Sequence, residues 1–513
     1  MFEELGTATV DITFVFEPGS HFGDKVVADL TAKGARVISW EQALKTEFDV
    51  ILAAHASVRL AELGAPVVAL PHGAGNYRLV EYTTGDCTSP TGLARSQLLG
   101  PDGTPTVARI LLSNPALLDW LRETCPEVAG RAVVLGDPVL DRMRANHHRR
   151  EEFRRALGLS CGQRLVVASS TWGKHSLWAR HPRLAHCLLG SLPMDEYRVA
   201  QVLHPNIWEA ESAYGIRLCL RDELDSGLLL IPDQSSWEAV VLAADVVIGD
   251  HGSVAVYGAA LDIPFLLGAD GRAELTPWSP TAQLCASAVR LDPAAPLKPQ
   301  LDQAITHYDP AVLRPTLNRM FANDGEARNT VCDTLYEVMG RRRPGTKPRQ
   351  RPLDRPQPIR EESGTAFAVV ADLIECRQAC GTVAVRRYPG PVTDLSGRAG
   401  LIPVITASEV DPERRSDAEI VVNEEVLTDP RAWFDEVRRT SPGAKLVAAR
   451  IPDGCLLLFD DDTVLCTPDE DVLATTIAAY VWKRAMRPWP ETLLLRTDVG
   501  GHLSRRTVAP HRR

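Results

Sequence analysis

A chain of 513 residues, 45% of them hydrophobic, carries enough apolar material for roughly two to four cored domains. Its 56 basic and 66 acidic residues leave a formal charge of -10, which argues against a nucleic-acid binder, whose affinity rests on clustered Lys and Arg. No apolar run reaches membrane-span length, no secretion signal is visible and the cysteines lack metal-ligand spacing, so a cytoplasmic protein with reduced thiols and no metal or other cofactor is expected.

From the amino end, short apolar runs alternate with helical patterns. Strands are predicted at Asp11–Phe16, Ala35–Ser39, Phe48–Ala53, Pro66–Leu70, Arg109–Ser113 and Ala132–Leu135, and helices at Gly23–Lys33, Val58–Leu63 and Ala116–Cys125. Such alternation implies a parallel sheet covered on both faces. A charged helical connector, His147–Leu159, leads to a second series with strands at Arg164–Ser169, Tyr197–Leu203, Leu228–Ile231, Ala244–Ile248 and from Pro264. The first unit is drawn as 1–146 and the second, with its connector, as 147–340.

Residues 341–360 are rich in Pro, Arg and Lys, and prolines prevent helix and sheet from continuing. An extended linker is predicted, either a solvated tether or a patch for anionic lipid headgroups or an acidic partner. Residues 361–513 alternate again, with strands at Phe367–Val370, Ile402–Thr406, Ile420–Val422, Lys445–Ala449 and Leu456–Phe459. A further α/β domain is expected there. Asp460, Asp461 and Asp462 fit a hairpin turn better than a cation site, and Cys376 and Cys380 are spaced to share a helix face.

Four polar turns fall at predicted strand carboxyl ends. They are Leu70-Pro71-His72-Gly73, Ser169-Ser170-Thr171-Trp172, His204-Pro205-Asn206 and Gly249-Asp250-His251-Gly252-Ser253. Each alone is explained by turning and capping. Together they occupy the edge where open α/β sheets bind ligands, and a helix starting near Ser253 offers unpaired N–H groups and the positive end of its dipole to a diphosphate. Two such units facing one another across a cleft make a GT-B-like architecture.

This constellation resembles the CDP-glycerol glycerophosphotransferase family, the wall teichoic acid primases and polymerases, over residues 60 to 280. His72-Gly73 match the family's Trp-His-Gly motif with Pro71 in place of Trp, and Arg78 stands one position beyond the family's Lys, where this chain has Tyr77. Ser170-Thr171-Trp172 echo its Pro-Thr-Trp, His204-Pro205 its His-Pro, and Asp250-His251-Gly252-Ser253 its phosphate-contacting Asp-Tyr-Ser-Ser. The resemblance implies a GT-B fold with an acceptor-side first unit and a donor-binding second unit. It also implies transfer of glycerophosphate from a nucleotide-activated, CDP- or UDP-linked donor to a hydroxyl acceptor, including a lipid-linked one at the inner face of the membrane.

The residues themselves suit such chemistry. His72 is the candidate base, because a neutral imidazole titrates near the working pH. Gly252 N–H, the hydroxyls of Ser253 and Thr171, His204 and His251 are candidate phosphate partners, with Gly73 and Arg78 in support. Asp250 would repel a phosphate if it faced one, so capping the helix or fixing a histidine tautomer suits it better. Two other readings remain open: a UDP-sugar glycosyltransferase, in which Glu238 touches ribose or sugar hydroxyls, and a catalytically silent nucleotide-binding or assembly module.

Overall fold

The computed structural model describes residues 10–17, 23–70, 73–74, 77–80, 86–345, 350–361, 364–377, 379–393, 400–469, 471–485 and 489–510. Four parallel strands, Ile51–Ala53, Val67–Ala69, Arg109–Leu112 and Ala132–Val134, form the first unit's main sheet in that order, and Thr13–Val15 pairs in parallel with Arg36–Ile38 beside it. The second unit has six parallel strands in the order Leu229–Ile231, Tyr197–Leu203, Arg164–Ser170, Val246–Gly249, Phe265–Leu267 and Val289–Arg290. Its central strand, Arg164–Ser170, is buried from Leu165 onward, as a strand covered on both faces must be.

Helix entries share one local logic. Asn114, Asp137, His204 and Ser279 each cap a helix whose first turn carries Pro115, Pro138, Pro205 or Pro280. The side chain accepts an orphan N–H while the proline presets the helical φ and offers no N–H of its own. The connector forms helices Pro138–Asn146 and Arg150–Ala156. Arg150 and Arg154 fasten the latter to Asp245 at 2.7 and 2.8 Å, beside the start of the central strand. Helix Ala327–Val338 then crosses back, burying Ala327, Val331 and Leu335 against Val68, Leu111 and Leu135 of the first unit.

The basic segment is extended but is not a free tether. Leu353 is buried in the second unit's core, its carbonyl accepts from Arg149 at 2.8 Å, and Ile359 pairs with Leu230, adding a bridge to the exposed edge of the sheet. Several of its arginines are held internally: Arg341 by Asp49, Arg343 by Asp333 and Arg355 by Glu152.

The expected α/β domain at the carboxyl end is instead a closed, mixed barrel of nine strands. Around it run 366–377, 380–389, 493–499, 502–510, 464–467, 454–459, 446–451, 420–426 and 402–406, which returns to the first. The α/β pattern is correct locally, since 402–406, 420–426 and 446–451 are parallel and joined by helices Pro412–Asp417 and Pro430–Thr440. Long antiparallel hairpins close the ring around them. Cys376 and Cys380 sit in one of these, at the tip of 366–377 and 380–389, and not on a helix. The Asp460–Asp462 segment turns between two antiparallel strands, with Asp462 at φ 62°. Helix Val472–Arg484 packs on strands from both sides of the ring and buries every residue from 472 to 482, so it fills the inner side. Among the described residues no helix is long and apolar enough to cross a membrane.

Candidate functional site

The six-stranded sheet turns its carboxyl edge toward the first unit. Strand Val246–Gly249 is buried along its length, and the chain then bends through Asp250-His251-Gly252 into helix Ser253–Ala260. Asp250 organises the bend. Its carboxylate, 2% exposed, accepts from the backbone N–H groups of Thr171 at 3.0 Å, Leu177 at 2.7 Å and Gly252 at 2.9 Å. Burial pushes its carboxyl above the ordinary aspartate range, against the opposing pull of His251 and of these amides.

This arrangement redistributes the groups named from the sequence. Asp250 points inward, and the Gly252 N–H is taken by it. Helix Ser253–Ala260 has no side-chain cap, so its first N–H groups from Ser253 onward, with the positive end of the dipole, are what the turn presents to an anion. Gly252 is closely packed: a Cβ there would stand 3.0 Å from Asp250 Oδ1 and 3.1 Å from Thr171 Cβ, so one of them would have to give way slightly.

Thr171 and Trp172 follow the central strand directly, and His204 follows its neighbour. His204 Nδ1 accepts the Asn206 N–H at 3.1 Å, which puts the proton of the neutral ring on Nε2. The Trp172 ring lies 6.3 Å from that of His204 and carries the Arg78 guanidinium 3.9 Å from its centroid.

Arg78 comes from the first unit. It pairs with Glu274 at 2.7 Å, and the same Glu274 oxygen lies 3.2 Å from His251 Nε2. Burial pushes the Glu274 carboxyl up, but the His251 hydrogen bond and the charge of Arg78 outweigh it and hold it below the usual glutamate range. The backbones meet here as well, through a bridge between Arg78 and Leu275 and the Thr276 N–H donated to the Tyr77 carbonyl at 3.0 Å.

A second contact joins the units one loop earlier. His72 and Pro71 lie outside the described residues. Gly73, at φ 79°, faces the Ser253 side chain, whose Cβ and Oγ are 3.8 Å from the position a Cβ would take. The Ala74 amide faces the Tyr257 hydroxyl, which donates to Asp137 Oδ2 at 2.9 Å; Asp137 in turn caps Pro138–Asn146. Burial, with the negative charge of Asp137, pushes the Tyr257 hydroxyl well above its ordinary range.

Thr171, His204, Ser253, Arg78 and Gly73 therefore come together at the cleft, while Asp250 and His251 are buried beneath it. Glu238 is ion-paired with Arg142 and 7% exposed, which leaves it little freedom to reach a sugar. Sequence reasoning missed Glu274, Asp137 and Tyr257. Glu274 sits in a short turn, Arg272–Glu274, without any periodic signal; Asp137-Pro138 was legible as a cap followed by a helix-starting proline. Among the described residues no group of His, Cys, Asp and Glu is arranged to hold a metal ion.

No protein-family model matches the chain, and no curated protein matches it in sequence. Solved structures resemble it. The wall teichoic acid polymerase TagF, in a structure soaked with CDPG, aligns with a TM-score of 0.47 and 14% identity over 66% of this chain and 84% of that one. MnaA of S. aureus with UDP aligns at 0.36 and 10% over 64% and 96%, and HepE of Anabaena with UDP and glucose at 0.37 and 13% over 63% and 99%.

Proposed function

We propose that this protein transfers a glycerophosphate or glycosyl group from a CDP- or UDP-activated donor to a hydroxyl acceptor in the cleft between its first two units. The observation that carries this reading is the uncapped start of helix Ser253–Ala260 set against Gly73 of the opposite unit, with Thr171 and the Arg78, Trp172 and His204 group beside it. Amides at a helix start, hydroxyls and a guanidinium stabilise the charge that develops on a departing nucleotide phosphate. In this reading Ser253, Thr171 and His204 hold the donor and His72 takes the acceptor proton. Asp250, His251 and Glu274 act through others as positioning residues, the last by aiming Arg78. A lipid-linked acceptor would bring the protein to the inner face of the membrane.

A catalytically silent nucleotide-binding module is the second reading. It is favoured by two groups already engaged: Arg78 with Glu274 and the Gly252 N–H with Asp250. Turnover of CDP-glycerol and UDP-sugars with hydroxyl acceptors separates the two. His72→Ala is expected to keep nucleotide binding and lose transfer by about 100-fold to 10,000-fold, the range of general-base catalysis. His204→Ala should raise KM more than it lowers kcat, since a contact present in both ground and transition states is lost. Full turnover by His72→Ala overturns the assigned base. Nucleotide binding without any turnover by the unmodified protein selects the silent module.

A further inference from the structure

A cavity of about 630 Å³ lies where the second unit, the basic strap and the barrel meet. It is at the amino ends of strands Tyr197–Leu203 and Leu229–Ile231, the edge opposite the cleft. Arg198 is the second residue of the first of these strands, Ser226 and Gly227 precede the second, Arg360 follows the strap's bridge at Ile359, and Phe367 and Pro389 belong to the barrel.

Its polar groups are out of balance. Among the described residues neither Arg198 nor Arg360 has an ion-pair partner, and the two guanidinium groups repel one another. Arg198 Nε is buried without a hydrogen-bond partner, and so is the hydroxyl of Ser226, a residue only 5% exposed. A buried polar atom that nothing satisfies destabilises the fold that holds it. Gly227, at φ 87°, keeps the backbone clear of Arg198: a Cβ there would come within 3.0 Å of the guanidinium. The acids nearby do not restore the balance. Asp195 is committed to Arg387 and Glu361 to Arg217, leaving Asp225 at the exposed rim. Desolvation and the like charge of Arg360 push the Arg198 guanidinium down from its ordinary range, and the charge of Asp195 offsets them only in part.

We propose that this joint binds a small phosphorylated molecule, its phosphate held by Arg198, Arg360 and Ser226. A phosphate offers what the three groups lack: negative charge for a pair of planar donors and oxygens that accept from Nε and a hydroxyl at once. Leu229, Phe367 and Pro389 leave apolar wall for an organic remainder, and the volume is within the range of small-molecule sites. The ligand would touch all three elements, so it would tighten the barrel onto the second unit.

The test uses the full chain carrying Ser253→Asp, whose carboxylate should repel anions from the cleft, titrated beside the unmodified protein with inorganic phosphate and with pyrophosphate at constant ionic strength. Calorimetry and thermal unfolding should both report binding and a raised unfolding temperature in this parent. Arg360→Gln, at an exposed position, should weaken phosphate by about tenfold or more, as expected for loss of one charge-assisted contact, and Ser226→Ala by less. If Arg198→Gln fails to fold, those two variants carry the test. No binding by the parent, or equal affinity in parent and Arg360→Gln, overturns the proposal. So does binding that Ser253→Asp abolishes, which would place the anion in the cleft and leave the reading of that cleft intact.

Discussion

In the second unit, polar side chains collect at one edge of a parallel sheet: Asp250 satisfies three backbone amides, and Arg78, Glu274 and His251 form a chain across the cleft. In the barrel the corresponding space is filled by helix Val472–Arg484, packed among Val383, Ile420, Leu446 and Leu495. The difference follows from backbone pairing. An open parallel sheet ends in turns whose amides need partners, and a helix start there can accept an anion. A closed ring pairs its strands all round, and here a helix fills its interior. Chemistry is thus expected at the edge, and stability in the ring.

Substitutions in each region should separate the two properties. The largest effect belongs to the barrel: Trp482→Ala, at a residue 1% exposed, should cost about 3–5 kcal/mol in denaturant unfolding yet leave nucleotide affinity unchanged in the folded protein. Asp250→Ala strands three amides and should cost about 3 kcal/mol, and unlike Trp482→Ala it should also abolish nucleotide binding by releasing the turn. Wild-type affinity in folded Asp250→Ala would erase the distinction between the regions. Gly252→Ala forces Asp250 or Thr171 to shift and should cost about 1–2 kcal/mol, with a matching loss of nucleotide affinity by calorimetry.

The smallest effect concerns the link across the cleft. Glu274→Gln should cost about 1 kcal/mol at neutral pH, because its half-buried pair with Arg78 is lost. Its pH dependence has a definite sign. The folded carboxyl lies below its unfolded value, so its contribution is present above about pH 4.5 and disappears as acid protonates the folded form. The difference in stability between the unmodified protein and Glu274→Gln should shrink as pH falls below that value; a constant difference would detach Glu274 from the ion pair.

How much of this was legible depends on whether a residue's role was local. The run Val246–Gly249 followed by Asp, His, Gly and Ser announces a strand, a turn and a helix by composition alone, and the structure has all three. That Asp250 turns away from a phosphate was legible from its charge, but its partners were not, since Thr171 and Leu177 are far along the chain and offer backbone amides that any residue would supply. Glu274 was invisible for the same reason, its partner Arg78 lying in another unit. In the carboxyl-terminal region, three parallel strands with two crossover helices imitate an α/β domain, and the closing strands 493–499 and 502–510 mix Arg, Asp, Ser and Thr among their apolar residues. Helix Val472–Arg484 shows no polar face because it is buried all round, so amphipathic periodicity could not reveal it.

Calorimetric titration of CDP and of UDP into the unmodified protein and into Ser253→Asp tests the central claim most directly. A nucleoside diphosphate should bind the unmodified protein, and Ser253→Asp should weaken it at least about tenfold, because a carboxylate at the helix start repels the phosphate and competes for its amides. The denaturant midpoint of the variant should show that it remains folded. Equal affinity in the two folded proteins would contradict the account and move the nucleotide, if it binds at all, away from this edge.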